Sequence, residues 1–319
     1  MSIVLVLVLV IAVTTIKSPD FLFSHDGWRD LFLSPSILMI IAVGEAIVII
    51  SRNVDVSVGS ILGFSAYFAG RMLTDHPNIP IVVVFILGTL VGTVMGLING
   101  SLVALLKIPA LVITLGTLYI YRGLDVLWAG GTRIFPADLP PAFTDLGNNG
   151  FLTIPLLTFI AVAVTLVATW FMRSTRGGRA IYAIGSDPVA AKLYGLRVTR
   201  EVIFAMTLSG ALAGFAGVLY LARYATADSQ AGVGWELQAI AAVVIGGVAI
   251  AGGSGTVWGA AIGAVLLVTV NRALPVLGIP DFWQQFVVGA LIIFAIVTDR
   301  ILYLRQSHRL LEMRESDSE

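Results

Sequence analysis

The 319-residue sequence has no cysteine and little charge, and each absence excludes a large class of protein. Without cysteine the chain has no disulfide framework, no thiolate metal site and no cysteine nucleophile. Charged residues make up only 12% of the sequence, against about 25% in soluble globular domains, while 58% of the residues are hydrophobic. The formal net charge of zero argues against a nucleic-acid partner. We therefore predict an integral membrane protein that contacts the lipid bilayer and no nucleic acid.

Motifs for catalysis and for nucleotide binding are also missing. The sequence contains no G-x-x-x-x-G-K-S/T phosphate loop, so this chain does not bind ATP by that route. It has no G-x-S-x-G elbow and no evident buried carboxylate pair, and its three histidines lack the spacing of metal ligands. We therefore predict a chain that is not an enzyme and has no catalytic, cofactor-binding or metal-binding residue.

Long apolar runs dominate what is present. The 33 glycines lie largely within these runs, which is typical of transmembrane helices packed closely at small residues. A β-barrel would instead show alternation with a period of two in strands of about ten residues. Because the runs are apolar on all sides and mostly longer, we reject a barrel and predict an all-α polytopic membrane protein.

Ten stretches have lengths near the roughly 20 residues that cross a bilayer. They cover about residues 2–16, 36–51, 56–73, 80–106, 109–129, 153–173, 200–222, 236–252, 256–273 and 283–304. Lys and Arg in short loops are retained in the cytoplasm, and an internal N-terminus leaves 12 of the 19 basic residues on that side. We therefore predict a multi-pass protein with both termini cytoplasmic and an uncleaved first span.

Two segments suggest an internal repeat. GTVMGLING (92–100) in the fourth span and GTVWGAAIG (255–263) in the ninth share the pattern G-T-V-x-G-x-x-x-G. Equivalent elements five spans apart run in opposite directions, which is the inverted-repeat arrangement of many transporters. We predict an inverted repeat of five plus five helices, and glycine-rich packing that recurs by chance is the alternative.

The longest polar insertion on the predicted cytoplasmic side is RSTRGGRAIYAIGSDPVAAKLYGLRVTREV, residues 173–202. Asp187 can cap a short helix that has Pro188 at its first position and ends at Gly195. Such a helix offers a surface for docking in another protein's groove. That surface consists of Ala190, Ala191, Leu193 and Tyr194. A solvated loop explains the segment equally well.

Polar residues in and near the predicted spans are candidates for a transport path, because polar groups inside a membrane are often functional. Glu45 is the only acid well inside an early span, and it is either structural or a coupling acid. A sugar path needs neutral groups that both donate and accept hydrogen bonds. The candidate path or gate residues are Glu45, Asn53, Asp55, Ser57, Asn99, Thr114, Thr117, Asn271, Trp283 and Gln284. An interfacial anchor is the alternative role for Trp283.

The segment SRNVDVSVGS, residues 51–60, is predicted to be the cytoplasmic turn between the second and third spans. Arg52 follows the positive-inside bias, and the side-chain oxygens of Asn53 and Asp55 can end one helix and cap the next. A turn alone does not require this much polarity. A role as an inner gate or as a surface that faces a partner therefore stays open.

Four blocks of sequence resemble the permease subunit of bacterial ATP-binding cassette (ABC) importers for monosaccharides. That branch covers ribose, arabinose, xylose and rhamnose importers and the uptake system for the furanose signal autoinducer 2. The blocks are RNVDVSVGSILGFSA (52–66), GLINGSLVALLKIPALVITLGTLYIYRG (96–123), the 173–202 insertion and VVIGGVAIAGGSGTVWGAAIGAV (243–265). They occur in order, and the similarity covers about residues 36–304.

The resemblance implies a single transmembrane permease domain over residues 1–319 in the bacterial inner membrane. It has a cytoplasmic loop at 173–200 with a coupling helix, and a cytoplasmic tail at 305–319. The implied partners are a cytoplasmic ATPase subunit with tandem nucleotide-binding domains, a second permease copy or a paralogue, and a periplasmic sugar-binding protein. ATP and Mg²⁺ then belong to the ATPase. The implied coupling residues are Gly185, Ser186, Asp187, Ala190, Ala191, Leu193, Tyr194 and Gly195.

On this resemblance we expect a monosaccharide or a sugar-like furanose (rhamnose, autoinducer 2 or a pentose) to move from periplasm to cytoplasm by alternating access. The separate ATPase supplies the energy. The alternative is a self-sufficient sugar transporter driven by protons or sodium, with Glu45 as the coupling acid. A structural membrane subunit without a pore is the third candidate.

Overall fold

The computed structural model describes residues 2–151 and 153–280 and scattered positions from 282 to 297. Most of this part is helical, as predicted for an all-α membrane protein. The helices are α1 (Ser2–Lys17), α2 (Asp20–Phe23), α3 (His25–Leu33), α4 (Ser36–Ile50), α5 (Val58–Asp75), α6 (Ile81–Leu106), α7 (Ala110–Ala129), α8 (Pro141–Asn148), α9 (Leu156–Ser174), α10 (Arg176–Ser186), α11 (Pro188–Leu193), α12 (Val198–Tyr224), α13 (Trp235–Ile245) and α14 (Val257–Val276). A 3-10 turn covers Pro136–Asp138, and two short strands, β1 (Gly150–Phe151) and β2 (Ile154–Pro155), pair antiparallel.

Nine of the ten predicted spans contain a helix, and the tenth lies largely outside the described residues. Among the described residues, six helical stretches are long and apolar enough to cross a membrane. They are His25–Ile50, Ile81–Leu106, Ala110–Ala129, Leu156–Ser174, Val198–Tyr224 and Val257–Val276. The helical membrane class is thus supported, whereas the count of ten, the inverted repeat and the single domain over 1–319 stay predictions.

α4 lies at the centre of the bundle, because every residue from Ser36 to Ile50 is buried. Its sequence is apolar all round except for Glu45, which is typical of a helix enclosed by other helices. α9, α12, α13 and α14 pack around it. By contrast, Leu5 and Ile16 on α1 are 69% and 84% exposed, which suits a surface in contact with lipid.

α6 and α12 cross at glycines spaced four residues apart. A Cβ added at Gly92 would overlap the carbonyl oxygen of Gly210, and one at Gly214 would lie 2.7 Å from the carbonyl oxygen of Gly88. Backbones approach this closely only where side chains are absent. Because α6 is held against the bundle in this way, its buried Asn99 has a well-defined position.

The two ends of the bundle carry different connecting segments. α10 and α11 lie at the end where α4 stops, and there the backbone N–H of Gly253 donates to the carbonyl oxygen of Ile50 at 2.9 Å. α8 lies at the opposite end, where Gly147 packs against the backbone of Ala222 near the end of α12. We call these the α11 end and the α8 end. That the α11 end is cytoplasmic stays a prediction.

Candidate functional site

The chain between α4 and α5 turns back into the bundle. The backbone N–H of Asn53 donates to the carbonyl oxygen of Val48 at 3.1 Å, and Arg52 has a left-handed φ of 67°. Asp55 and Ser57 are both 0% exposed. The turn predicted for residues 51–60 is present, but Asp55 and Ser57 lie inside the protein, whereas Arg52 is exposed and Asn53 is half-buried.

Asp55 organises the start of α5. Its Oδ1 accepts hydrogen bonds from the backbone N–H of Ser57 at 2.9 Å and from the Ser57 hydroxyl at 2.6 Å. These bonds form a side-chain turn just before α5, whose N-cap is Ser57 and not the predicted Asp55. Asn53 stabilises the turn just after α4, because its Nδ2 donates to the carbonyl oxygen of Ser51 at 3.0 Å.

Glu45 and Asp55 form a buried carboxyl pair, which was not evident from the sequence. Oε1 of Glu45 accepts a hydrogen bond from the backbone N–H of Asp55 at 3.1 Å, and both residues are 0% exposed. Within the described residues no group donates to Oε2 of Glu45 or Oδ2 of Asp55. Carboxyl groups are costly to bury without hydrogen-bond donors, so this pair is a candidate for function.

Asn99 joins the start of α5 to α6 and α7. Its Nδ2 donates to the Ser57 hydroxyl at 2.7 Å, and the Tyr121 hydroxyl lies 3.0 Å from its Oδ1. Asn99 is 0% exposed and Tyr121 is 4% exposed. Tyr121 was not predicted as a site residue. Its spacing of seven residues from Thr114 is the signal that places both side chains on one face of α7.

Thr114 links α7 to the same turn. Its Oγ1 accepts a hydrogen bond from the backbone N–H of Val56 at 3.3 Å, and one turn later the hydroxyl of Thr117 donates to the carbonyl oxygen of Thr114, also at 3.3 Å. Six predicted path residues therefore lie in one buried group. We call it the central polar cluster. Its members are Glu45, Asp55, Ser57, Asn99, Thr114, Thr117 and Tyr121.

The remaining predicted path residues lie outside this cluster. Asn53 lines a cavity at the α11 end. Asn271 lies on α14, where its buried Oδ1 accepts no hydrogen bond from any described residue. Trp283 is 44% exposed and packs edge-on against Phe286, with ring centroids 5.2 Å apart. Gln284 lies outside the described residues. The structure thus brings neither Asn271 nor Trp283 to the cluster.

α11 has the form that the sequence predicts for a docking helix. Oδ1 of Asp187 accepts hydrogen bonds from the backbone N–H groups of Val189 at 2.9 Å and Ala190 at 3.0 Å. Pro188 occupies the first position of the helix, where its missing N–H is not needed. Gly195, with φ of 83°, follows the end of the helix and turns the chain away.

The exposed face of α11 differs in part from the predicted one. Leu193 and Tyr194 are 84% and 89% exposed, and Val189 is 72% exposed. Ala191 is only 5% exposed, because it faces the body of the protein. The outward apolar surface at this end therefore consists of Val189, Leu193 and Tyr194.

Gly185 packs directly on the end of α4. A Cβ added there would overlap the carbonyl oxygen of Ile50 and lie 2.6 Å from the backbone nitrogen of Gly253. Ser186, next to it, is exposed but has its backbone against Gly253. Because the turn that leads to Asp55 begins at Ile50, the α10 segment and the central polar cluster are linked through one stretch of backbone.

A cavity of about 1040 Å³ lies at the α11 end beside this turn. Residues 52–54, the junction of α6 and α7, α11 and the start of α12 form its walls. The lining includes the basic residues Arg52, Lys107, Lys192 and Arg197, and none of its described residues is acidic. Val54 and Ala110 in its wall are close in sequence to members of the central polar cluster, but none of its described lining residues belongs to the cluster.

The cluster offers hydroxyl, amide and carboxyl groups that both donate and accept hydrogen bonds, as a path for a hydroxylated molecule requires. Within the part of the chain that the structure describes, no three His, Asp or Glu side chains are placed to hold a metal ion.

Comparison with known proteins gives two kinds of match. The family described as branched-chain amino acid transport system / permease component matches residues 29–296. Autoinducer 2 import system permease protein LsrC of Salmonella paratyphi B is 40% identical over 270 residues, which cover 84% of this chain and 77% of that protein. The protein of the same name from Escherichia coli is 38% identical over 275 residues, which cover 84% and 78%. No solved structure matches. The resemblance seen in the four sequence blocks is thereby confirmed.

Proposed function

The chain belongs to the family of branched-chain amino acid transport system permease components, and on that premise we propose that it is the membrane-spanning subunit of an ABC importer for a sugar-like molecule. The family description names amino acids, whereas the relatives at 38–40% identity are named for autoinducer 2 import. We therefore favour autoinducer 2 as the substrate, ahead of rhamnose or a pentose. Transport runs from periplasm to cytoplasm.

The observation that carries the proposal is the contact between α10 and the end of α4. α11 presents Leu193 and Tyr194 to a partner, and Gly185 on the adjoining helix touches Ile50, where the turn into the central polar cluster begins. Docking of an ATPase on α11 can therefore move the backbone that positions Asp55 and Ser57. Alternating access follows if that movement opens the cluster toward the cavity at the α11 end.

The complete importer contains an ATPase, a binding protein and a second permease besides this chain. The ATPase subunit, with tandem nucleotide-binding domains, binds ATP and Mg²⁺ and docks at the cytoplasmic α11 end. A periplasmic binding protein delivers substrate at the α8 end, and a second permease copy or a paralogue completes the path. Residues 1–319 form one permease domain in the inner membrane, with both termini and the 305–319 tail cytoplasmic.

The buried pair of Glu45 and Asp55 favours one alternative. In each of these carboxyl groups one oxygen accepts no hydrogen bond from the described residues, and such a group is a candidate proton carrier, as in a transporter driven by a proton gradient. In that case the chain works without an ATPase, and replacing Glu45 removes the proton dependence of uptake.

Complex formation and ATP hydrolysis test the proposal. The chain is expressed with the ATPase and the binding protein encoded beside it and is purified in nanodiscs. We expect the ATPase to purify with this chain and its hydrolysis of ATP to rise when binding protein loaded with autoinducer 2 is added. Purification of the permease without an ATPase, or hydrolysis that ignores the loaded binding protein, contradicts the proposal.

A further inference from the structure

A second group of charged side chains, with one buried and two half-buried members, lies nearer the α8 end and takes no part in the central polar cluster. Arg122 and Asp125 lie one turn apart on α7, and Glu236 lies in the first turn of α13. Asp125 follows Tyr121 by four residues on the same buried face of α7. Arg122 and Asp125 therefore lie on the α8 side of the cluster along α7.

Arg122 holds the loop that precedes α13. Its Nη1 donates to the carbonyl oxygen of Ala231 at 2.6 Å and lies 3.3 Å from that of Ser229. Gly63 on α5 makes room for this contact, because a Cβ there would overlap the carbonyl oxygen of Ala231 and lie 3.0 Å from Nη1. Loop 228–234 is thus drawn into the bundle by one arginine.

Asp125 is the charged side chain in this region that lacks hydrogen-bond donors most completely. It is 0% exposed, and neither of its carboxylate oxygens accepts a hydrogen bond from any residue that the structure describes. A buried carboxylate without donors loses its hydration, and the nearby charge of Arg122 offsets only part of that cost. Such a group persists where a ligand supplies the donors.

Glu236 offers a second acceptor of the same kind. Its Oε1 accepts a hydrogen bond from the backbone N–H of Gly234 at 3.2 Å, while its buried Oε2 accepts none from the described residues. The carboxylate lies directly against Gly59, where a Cβ would overlap Oε2. A glycine at this point of α5 therefore lets the acid enter the bundle.

Arg122 forms no direct ion pair with Asp125 or Glu236. Asp125 and Glu236 both lie close enough to Arg122 to interact with its charge. The ion pairs formed by the described residues nevertheless include none between Arg122 and either acid. Asp228, which also acts on Asp125, is paired with Arg133 at 3.9 Å, so two acids remain against one base and the region disfavours anions.

An aromatic surface lies about one turn further along α7, toward the α8 end. Trp128, three residues beyond Asp125 on α7, is 44% exposed and packs on Phe64 and Tyr67 of α5, with ring centroids 5.5 Å apart in both pairs. An aromatic face beside a few convergent polar groups is the usual composition of a small-molecule site.

We propose that Asp125, Glu236 and Arg122 bind the hydroxyl groups of a neutral polyhydroxylated substrate before it reaches the central polar cluster. Ligand hydroxyls donate to the carboxylate oxygens of the two acids and accept from the guanidinium group. The excess of acid excludes phosphorylated or carboxylated relatives of the substrate. This inference rests on the proposed function, because it names the substrate class of the same transport path.

Uptake by the reconstituted importer tests the site. Proteoliposomes with the complete importer receive binding protein loaded with autoinducer 2, or with an analogue that lacks one hydroxyl. We expect Asp125→Asn and Glu236→Gln to lower autoinducer 2 uptake about tenfold or more, since hydrogen bonds to charged groups are among the strongest in proteins. We also expect both variants to reduce the preference for autoinducer 2 over the analogue. Asp75→Asn, an exposed acid on α5, is the matched control and leaves both quantities unchanged.

Three different results would contradict the substrate site, show a cation site instead, or contradict the proposed function alone. If both variants slow the two probes equally, or change neither, the three residues do not bind substrate hydroxyls and the inference is wrong. If wild-type uptake fails when choline replaces sodium and Asp125→Asn removes that dependence, the site binds a cation instead. If wild-type uptake needs no ATP while the variants still lose the hydroxyl preference, the proposed function is wrong and the substrate site stands.

Discussion

Replacing Asn99 with alanine tests whether the central polar cluster acts as a gate. The amide joins α6 to the start of α5 through its 2.7 Å bond to the Ser57 hydroxyl, and to α7 through its 3.0 Å contact with the Tyr121 hydroxyl. The variant removes both contacts while the backbone of α6 stays packed on α12. Of the groups left behind, the Ser57 hydroxyl still donates to Asp55 and the Tyr121 hydroxyl can donate to the carbonyl oxygen of Met95 at 3.0 Å.

The expected magnitude follows from these two contacts. A net contribution of about 1 kcal/mol for each gives a total of about 2 kcal/mol in favour of the closed cluster. Its loss raises the population of the open cluster about 30-fold, since 1.4 kcal/mol corresponds to a factor of ten. We therefore expect ATP hydrolysis without substrate to rise and the amount of substrate moved per ATP to fall.

The assay compares two variants of the same helix in the nanodisc complex. Thr93→Ala is the control, because the Thr93 hydroxyl donates only to the carbonyl oxygen of Thr89 within α6. We expect Asn99→Ala to raise substrate-independent ATP hydrolysis and to lower the Tm of the permease, with little effect of Thr93→Ala. Equal ATP hydrolysis and equal uptake per ATP in both variants would refute the assignment of the cluster as a gate.

Three further substitutions test other parts of the account. Tyr194→Asp, at a side chain that is 89% exposed, should leave the permease folded but release the ATPase during purification, and retention of the ATPase contradicts the docking role of α11. Gly185→Ala should reduce ATP hydrolysis stimulated by loaded binding protein, because the new Cβ overlaps the end of α4. Gly177→Ala on the same helix places its Cβ 3.4 Å from the ring of Phe171 and 3.9 Å from a carboxylate oxygen of Glu201, which are ordinary contact distances, and should have little effect. Glu45→Gln keeps an oxygen that accepts from the N–H of Asp55, so uptake should remain largely intact; loss of uptake together with its proton dependence supports the gradient-driven alternative.

Local chemistry allowed much of the fold to be predicted. Helices appeared in nine predicted spans because a bilayer requires long apolar runs whose backbone groups are satisfied internally. The cap at Asp187, the first-position Pro188 and the terminal Gly195 were also predictable, since each depends on a backbone rule that acts over a few residues.

The features that the sequence did not reveal depend on contacts between distant elements. Asp55 lies in a polar turn, which suggests a solvated surface, yet the turn enters the bundle and brings Asp55 against Glu45. The outward side of α11 depends on how that short helix lies on α10 and α12, so Ala191 was expected at the surface but is buried. Neither carboxylate oxygen of Asp125 accepts a hydrogen bond from a described residue. This could not be predicted, because the local sequence does not show which side chains surround the carboxylate in the fold.

Uptake of labelled autoinducer 2 into proteoliposomes tests the central claim most directly. The vesicles contain this chain with its companion permease, if a paralogue is required, and the ATPase, and loaded binding protein is supplied on the α8 side. We predict accumulation that requires ATP on the α11 side and continues when ionophores dissipate every ion gradient. Accumulation that needs no ATP and stops when a proton or sodium gradient is dissipated would contradict the account.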